Sequence, residues 1–333
     1  MRKNWICTIL LVAVVLSVTA AALPKPAADK WRPGARVLPD AHNCYPYFEW
    51  WSDRIDRALS AGTPLAIEQD LLWAKNPRTG VMDSVVSHGA PATGSEPGMR
   101  EYFFERVRPI VEKALREGNR GDWPLITLNL DLKSEEPEHL AAIWQLLTQY
   151  RDWLTTAPRG ADLARPEALD IKPILVFTGE SEAQKAAFYD QVPAGARLLV
   201  FGAVPTNSKD PSAAPEQLEP NPADNYHRWW NNSWHVVEPL GQPTAGEWTP
   251  EKETRLVSLV RHAHANNLWI RFYTLDGASQ AELSCNGWFR GYNFGSKDSV
   301  RKRWAAAAKA GADYIASDQY EELGAYLRSG RWF

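Results

Sequence analysis

The stretch "PILVF", residues 173–177, and the similar run "LLVF", residues 198–201, decide the fold class of this protein. Both runs are apolar at every position. A strand with one face in water alternates polar and apolar residues, whereas a continuously apolar strand is typical of a parallel sheet buried on both faces. We therefore predict a parallel sheet that is covered on both sides.

Helical patterns alternate with strand-like runs along the rest of the chain. This alternation predicts right-handed β-α-β units, and eight of them in 333 residues fit a single TIM-like (β/α)8 barrel of the α/β class. An open doubly wound sheet is the alternative, but no glycine-rich turn follows the first strand. The expected strands are Arg36–Pro39, Pro64–Trp73, Pro124–Lys133, Lys172–Thr178, Arg197–Val204, Trp234–Glu238, Leu268–Asp276 and Ala312–Ser317, with a short extra strand at Met82–Ser87. The expected helices are Phe48–Ala61, Gly98–Glu117, Glu136–Trp153, Ser181–Gln191, Thr249–Asn266, Lys297–Ala310 and Tyr320–Arg328.

The amino terminus has the pattern of a secretory signal peptide. Two basic residues precede an apolar run that ends at Val18, and small residues follow up to Ala22. The apolar run is short for a membrane span, so an uncleaved anchor is the less favoured alternative. We predict a signal peptide at 1–22, a lead-in at 23–35 and the barrel at 36–333, in a protein that is secreted or resides in the periplasm or cell envelope.

Composition excludes two classes of protein. The chain is 44% hydrophobic and 23% charged, which indicates a folded domain and argues against disorder. Its net charge of −3 makes it a poor candidate for binding nucleic acid. The 16 tryptophans suit either a sugar or lipid site or core packing, and both interpretations apply to Trp229, Trp230 and Trp234.

Carboxylates cluster where strands two and three end, which is the active face of a TIM barrel. Glu68 and Asp70 lie two apart and so share one face of a strand, as do Asp131 and Lys133. Three carboxylates offer oxygen-only ligation, which predicts one divalent cation, Mg²⁺ or Ca²⁺, rather than zinc. The alternatives are a solvated strand face for the first pair and a structural ion pair for the second.

Two histidines lie at neighbouring strand ends. His42 follows the first strand and His88 follows the extra strand. A histidine pair can supply one acid and one base near neutral pH, and together with a cation and Lys133 it suits the cleavage of a phosphodiester. A turn histidine bonded to backbone is the alternative for His42. The sequence does not assign the base.

Five motifs in this order, "AHN", "IEQD", "SHG", "LDLK" and "AGADYIASDQYEEL", resemble the phosphatidylinositol-phospholipase-C-like phosphodiesterase superfamily. Glycerophosphodiester phosphodiesterases and sphingomyelinase D belong to it, and the resemblance runs from about residue 36 to about residue 325. It implies a TIM-like barrel, a divalent cation and two catalytic histidines. Carried over by position, the catalytic residues are His42 and His88, and the metal ligands are Glu68, Asp70 and Asp131.

The chain departs from that family at positions that contact substrate. Asn43 stands where glycerophosphodiester phosphodiesterases usually carry arginine, so an amide replaces a charged phosphate clamp. Tyr273 stands where the family usually has tryptophan. The motif "LDLK" is closer to sphingomyelinase D, since the usual diesterase has Glu at Asp131. We expect Asn43, Lys133 and Tyr273 to contact the phosphate or the substrate.

These residues predict an exported, metal-dependent phosphoric diester hydrolase of the phospholipase C/D type. It would cleave a glycerophosphodiester or a phospholipid by histidine acid/base catalysis, and attack by a neighbouring hydroxyl would give a cyclic phosphate. The expected partner is a small-molecule or lipid diester, with transient contact to a membrane surface for a lipid and no nucleic acid. A secreted TIM-barrel glycoside hydrolase and a non-catalytic lipid- or sugar-binding barrel are the alternatives.

Three further residues have expected positions near this face. Asp276 and Asp318 end strands, and they could orient the catalytic residues without contacting the substrate. Cys44 is expected to pair with Cys285 rather than act as a nucleophile, because an exported protein permits disulfides and the first and eighth strands of a closed barrel are neighbours.

Overall fold

The computed structural model describes residues 31–46, 52–219, 221–285 and 290–332, apart from the side chains of Ser284 and Cys285. The predicted signal peptide, most of the lead-in and the start of the predicted helix Phe48–Ala61 lie outside these ranges. None of the helices within them combines the length and the apolar character that a membrane crossing requires.

Strands in the described ranges form a closed parallel barrel with small additions. The barrel order is β1, β2, β4, β6, β8, β9, β10, β11 and back to β1, which confirms the predicted TIM-like fold. Strand β3 pairs antiparallel with β2 outside the ring, and β5 pairs with β7. The strands are β1 (Leu38–Ala41), β2 (Leu65–Lys75), β3 (Met82–Val86), β4 (Ile126–Leu132), β5 (Ala157–Pro158), β6 (Ile174–Thr178), β7 (Arg197–Leu198), β8 (Phe201–Ala203), β9 (His227–Ser233), β10 (Trp269–Tyr273) and β11 (Tyr314–Ser317).

Helices surround the barrel, and local sequence signals explain where they begin and end. Ser296 caps the helix at Lys297–Ala310, because its hydroxyl accepts a hydrogen bond from Ser299 N at 3.2 Å. Gly311 ends the same helix with φ 85°, a left-handed conformation that favours glycine. The helices are α1 (Arg54–Ser60), α2 (Glu105–Glu117), α3 (Pro137–Gln149), α4 (Glu182–Lys185), α5 (Pro215–Leu218), α6 (Pro250–Ala265), α7 (Gln280–Cys285), α8 (Lys297–Ala310) and α9 (Tyr320–Arg328).

The apolar run that predicted the sheet lies in its core. Residues 174–177 are at most 3% exposed, and the Phe177 ring stacks on Trp229 with centroids 4.9 Å apart. Burial of each such side chain stabilises the fold by about 1.5–3 kcal/mol relative to exposure. The pattern "PILVF" therefore predicts the parallel strand correctly.

The Trp-rich segment differs from the prediction. The strand there is β9 at His227–Ser233, and the predicted strand Trp234–Glu238 is wrong, because Ser233 accepts from His235 N and starts a 3₁₀ turn. Trp229, Trp230 and Trp234 are at most 1% exposed and pack in the core, so they form no lipid or sugar platform. Large aromatic side chains gain most when they are buried. Trp229 packs against Phe177, and Trp230, on the opposite face of β9, packs against His262 of α6.

Candidate active site

A polar cavity of about 290 Å³ lies at the carboxyl ends of the barrel strands. Both predicted catalytic histidines line it, and so do Tyr273 and Lys133. The residues that can take part in chemistry there are His42, Asn43, Glu68, His88, Asn129, Asp131, Lys133, Arg271, Tyr273 and Tyr292.

His42 follows β1 and is held by a carboxylate from the other end of the chain. Its Nδ1 lies 2.8 Å from Oδ1 of Asp318, which follows the neighbouring strand β11. Because an ionised carboxylate only accepts hydrogen bonds, we assign a proton to Nδ1. Nε2 then faces Oε2 of Glu68 at 3.6 Å. The pair with Asp318 fixes the orientation of the imidazole.

Asp318 is kept ionised by its own neighbours. Arg54 Nη2 lies 3.2 Å from its Oδ2, and Asn43 Nδ2 donates to its Oδ1 at 3.1 Å. Burial alone would raise the pKa of Asp318, but the charge of Arg54 and the hydrogen bond from His42 hold it below its ordinary value. A charged Asp318 in turn favours a charged imidazole.

The two histidines differ in protonation. Burial lowers the pKa of His42, but the negative charge of Glu68 and the hydrogen bond to Asp318 outweigh burial and raise it to about 9. Partial burial and the positive charge of Lys133 lower the pKa of His88 below its ordinary value. At neutral pH the cavity therefore contains one charged imidazole and one neutral imidazole. General acid/base catalysis requires one proton donor and one proton acceptor, and these two protonation states supply them.

His88 lies on a loop rather than on a barrel strand. It follows β3, is exposed, and its ring lies 5.5 Å from the Tyr45 ring. The hairpin of β2 and β3, whose second strand lies outside the closed ring, carries His88 to the edge of the cavity.

Glu68 connects the histidine to a buried arginine. Its Oε2 accepts from Asn43 N at 2.9 Å and lies 3.4 Å from Nη2 of Arg271. Burial would raise the pKa of Glu68, but the charges of Arg271 and His42 lower it to about 2. Glu68 is therefore an anion across the physiological range. Asn43 supports this contact with a left-handed backbone, φ 52°, which asparagine tolerates.

Asp70 and Asp131 both contact Lys133. The ammonium Nζ lies 2.8 Å from Oδ1 of Asp70 and 2.7 Å from Oδ2 of Asp131. Asp70 is fully buried, and burial together with the charge of Glu68 raises its pKa to about 7. The predicted alternative of an ion pair between Asp131 and Lys133 is thus present. The assignment of Glu68, Asp70 and Asp131 as metal ligands stays a prediction.

A second group is compatible with a divalent cation. His42, Asp276 and Asp318 are buried, and each offers a ligand atom within 4.8 Å of the others. Oδ1 of Asp276 accepts from Ser317 Oγ at 2.7 Å and from Asp318 N at 2.8 Å. Because Nδ1 of His42 already contacts Asp318, that hydrogen bond would have to open before Nδ1 could bind a metal.

A comparison with solved structures supports the barrel fold. The chain is similar to the calcium-dependent phosphoinositol-specific phospholipase C from a Gram-negative bacterium, Pseudomonas sp, with 13% identity and a TM-score of 0.50 over 90% of this chain and 96% of that chain. The fold that the two proteins share is a TIM barrel. This confirms, for the fold, the resemblance seen in the motifs.

Other similarities are weaker. The Plasmodium falciparum HPPK-DHPS aligns with 8% identity and a TM-score of 0.40, over 90% of this chain and 48% of that chain. A tri-modular GH5 endo-β-1,4-glucanase from Bacillus licheniformis aligns with 11% identity and a TM-score of 0.44, over 89% of this chain and 57% of that chain. No protein-family model and no curated protein sequence matches the chain.

Arg271 is a charged residue of the cavity that the sequence did not predict. Arg271 is 1% exposed inside β10 and contacts Asp40, Glu68 and, at 3.0 Å, Oδ1 of Asn231. A charge within the apolar run "WIRFY" is the signal that could have found it, because a buried arginine requires anionic partners. Next to it, the Tyr273 ring stacks on His42 with centroids 5.7 Å apart.

Cys44 does not form the predicted disulfide. It is a free thiol that is fully buried in the core. Burial raises the pKa of the Cys44 thiol well above its ordinary value, so the reactive thiolate is disfavoured. Cys44 is therefore a packing residue, and the side chain of Cys285 lies outside the described residues.

Proposed function

We propose that this protein is an exported phosphoric diester hydrolase in which His42 and His88 exchange protons with the substrate. The observation that carries the proposal is the pair of imidazoles in one cavity at the active face, one charged and one neutral at pH 7. Lys133 and Arg271 line the same cavity and supply positive charge for a phosphoryl group.

The reaction needs one imidazole in each protonation state. The neutral imidazole accepts a proton from the attacking hydroxyl, which belongs either to water or to the substrate itself. A new P–O bond forms while the P–O bond to the leaving alcohol breaks, and the charged imidazole donates its proton to that alcohol. Attack by a neighbouring substrate hydroxyl makes the first product a cyclic phosphate.

A divalent cation, Mg²⁺ or Ca²⁺, fits the carboxylates beside the histidines. Oxygens of Asp70 and Asp131 already surround one cationic group, the Lys133 ammonium. Among the described residues neither carboxylate oxygen of Asp70 has a hydrogen-bond partner, although Lys133 Nζ lies 2.8 Å from Oδ1 as an ion pair. With Glu68 these residues would hold the cation, which would neutralise charge on the phosphoryl oxygens.

Space around the cavity favours a diester with two different substituents. Beyond His88 lies a cavity of about 640 Å³, lined by residues such as Tyr45, Pro91 and Tyr102. On the other side of Tyr273 lies a more polar cavity of about 360 Å³, next to Asn231. We propose a glycerophosphodiester or phospholipid substrate, and contact with a membrane surface in the lipid case.

A panel of diesters followed by ³¹P NMR tests the function. Glycerophosphocholine, phosphatidylinositol, sphingomyelin and an aryl glycoside as comparison would be incubated with the wild type, His42→Ala and His88→Ala. We expect the wild type to cleave one diester and each variant to lose at least about 10²-fold in rate. Near wild-type rates in both variants, or cleavage of the glycoside alone, would contradict the proposal.

A further inference from the structure

Four amide side chains of the described chain line the histidine cavity, and three of them donate to carboxylates. The three pairs are Asn43 with Asp318 at 3.1 Å, Asn129 with Glu68 at 3.4 Å and Gln184 with Glu135 at 2.6 Å. The fourth amide is Asn231, on β9. Its Nδ2 has no hydrogen-bond partner among the described residues and is not buried in protein. Within the described chain, Asn231 is therefore the cavity amide whose N–H groups are available to a ligand.

Arg271 determines which end of the Asn231 amide faces the cavity. The two residues are register partners on the neighbouring strands β9 and β10. Nη1 of Arg271 lies 3.0 Å from Oδ1 of Asn231. A guanidinium only donates hydrogen bonds, so the amide atom that faces it must be the oxygen. The planar amide then holds Nδ2 on the side away from the guanidinium.

Carboxylates hold Arg271 itself in place. Its Nε contacts Asp40, and its Nη2 lies 3.4 Å from Oε2 of Glu68. Burial would lower the pKa of Arg271, but the charges of Asp40 and Glu68 raise it above its ordinary value, so the guanidinium stays charged. A fixed cation that donates to an amide oxygen polarises the amide and strengthens its N–H groups as donors. The arrangement therefore favours an anionic acceptor at Nδ2 of Asn231.

Asn231 lies where two cavities meet. It lines the histidine cavity of about 290 Å³ and also the polar cavity of about 360 Å³ beyond Tyr273. A diester with its phosphorus between the histidines and one substituent in the polar cavity would have its phosphoryl group beside Asn231. Lys133 and Arg271 are both paired with carboxylates, whereas the Asn231 donor is not.

We propose that Nδ2 of Asn231 donates a hydrogen bond to a non-bridging oxygen of the phosphodiester. The inference rests on the proposed function, because the phosphodiester is the substrate proposed there. It assigns a substrate-binding role to a neutral side chain that Arg271 orients. Hydrogen bonds in which one partner is charged are roughly twice as strong as neutral ones, so loss of this donor should be measurable.

Binding of dimethyl phosphate, the simplest diester anion, tests the contact without turnover. Calorimetric titration would compare the wild type, Asn231→Asp and Asn231→Ala, each with and without Ca²⁺. Asn231→Asp keeps the shape of the side chain and the acceptor for Arg271, but it replaces the N–H donor by an oxygen. We expect each variant to bind dimethyl phosphate at least about tenfold more weakly than the wild type.

Asn119→Asp is the matched control, because it makes the same change at an exposed site before β4, at the opposite end of the barrel. Oδ1 of Asn119 accepts from Gly121 N at 3.1 Å, and the aspartate keeps that acceptor. The control should bind like the wild type. Absence of binding by the wild type, or equal binding by the wild type and Asn231→Ala, would overturn the inference.

A phosphorothioate diester tests whether the contact is to the phosphoryl group. Sulfur accepts hydrogen bonds weakly, so the wild type should cleave the two diastereomers of a soluble phosphorothioate diester at different rates. Asn231→Ala should change the ratio of these rates by about tenfold. An unchanged ratio, with an altered preference between diesters that differ in one substituent, would overturn the assignment to a phosphoryl oxygen.

The two measurements separate this inference from the function on which it rests. Binding of dimethyl phosphate that depends on Asn231, without hydrolysis of any diester, would remove the enzymatic proposal alone. Hydrolysis of a diester with binding and rates that both Asn231 variants leave unchanged would remove the Asn231 contact alone.

Discussion

Asp318 is the residue whose contacts say most about His42. It touches the imidazole at Nδ1 and not the cavity side at Nε2, so we regard it as a positioning residue. Its charge is also one of the reasons that the pKa of His42 is raised to about 9. The effect of Asp318 on catalysis should therefore appear as a change in a pH profile, in addition to a change in rate.

Replacement of Asp318 by Asn should narrow the pH range of activity. In the wild type kcat/KM is expected to fall as pH rises through about 9, where His42 loses its proton. Without the carboxylate the pKa of His42 drops, so the alkaline limb moves to lower pH, and the rate falls by about 10²–10⁴-fold. A profile measured on a soluble diester, with NMR titration of His42, checks this. A rate loss with an unchanged alkaline limb would assign Asp318 a purely structural role.

Substitution of Lys133 tests whether the neighbouring carboxylates form a cation site. Lys133→Met leaves the buried Asp70 and the partly exposed Asp131 without their shared countercharge. We expect a loss of about 1–3 kcal/mol, mostly from Asp70, because solvent screens Asp131. We expect millimolar Ca²⁺ or Mg²⁺ to restore the melting temperature of the variant. Lys302→Met, which breaks an exposed pair with Glu247, should neither lower the melting temperature nor respond to the ions. If Lys133→Met does not respond either, the carboxylates are not a cation site.

At the scale of elements, a buried ion pair ties α8 to the loop after β9. Arg303 Nε and Nη2 lie 3.0 and 2.9 Å from the two oxygens of Glu238, and Trp234 Nε1 donates to the same carboxylate at 2.7 Å. Both side chains are at most 2% exposed. This contact anchors the loop that carries Leu240 to α8.

Glu238→Gln should therefore destabilise the fold strongly. The amide keeps the shape but leaves the buried Arg303 charge without its partner, which costs about 3–5 kcal/mol. Urea denaturation would measure the loss. Glu247→Gln, an exposed neighbour in the same loop, is the control and should leave the midpoint unchanged. Equal midpoints for the two variants would show that the Arg303 pair contributes nothing.

At the scale of the whole molecule, the buried carboxyls predict an unusual pH dependence of stability. Burial raises the pKa of Asp70 and of Asp276 to about 7. Between the pKa of the unfolded chain, about 4, and the pKa of the folded protein, about 7, these carboxyls ionise in the unfolded chain but stay protonated in the folded protein. The stability that they contribute at low pH is therefore lost as pH rises from about 4 to about 7. The His42 contribution is lost in the same way from about 6.5 to about 9. Glu68 acts in the opposite direction, because its lowered pKa contributes stability that is lost as pH falls from about 4.5 to about 2.

The free energy of unfolding should therefore be largest near about pH 5 and decline toward pH 9. Thermal melts across this range check the curve, and Asp276→Asn should flatten it between about pH 4 and 7 because the amide keeps the acceptor for Ser317 and does not titrate. A stability that rises steadily to pH 9 would contradict the reasoning.

The barrel and the face that carries the site could be predicted from the amino-acid sequence. Both are local properties: strand and helix periods come from neighbouring residues, and a polar residue at a strand end is visible without the fold. His42 and His88 could therefore be assigned to one cavity in advance. The extra strand at Met82–Val86 was predicted for the same reason.

The contact partners of these residues could not be predicted, because they depend on how the chain folds in space. Asp318 meets His42 across 276 positions of the chain, and Arg271 meets Asp40 across 231, because closure of the barrel places the last strands beside the first. The burial of Trp229 and the free thiol of Cys44 have the same origin. Charge states and burial depend on what lies within a few ångströms in space, and no local pattern in a sequence contains that distance.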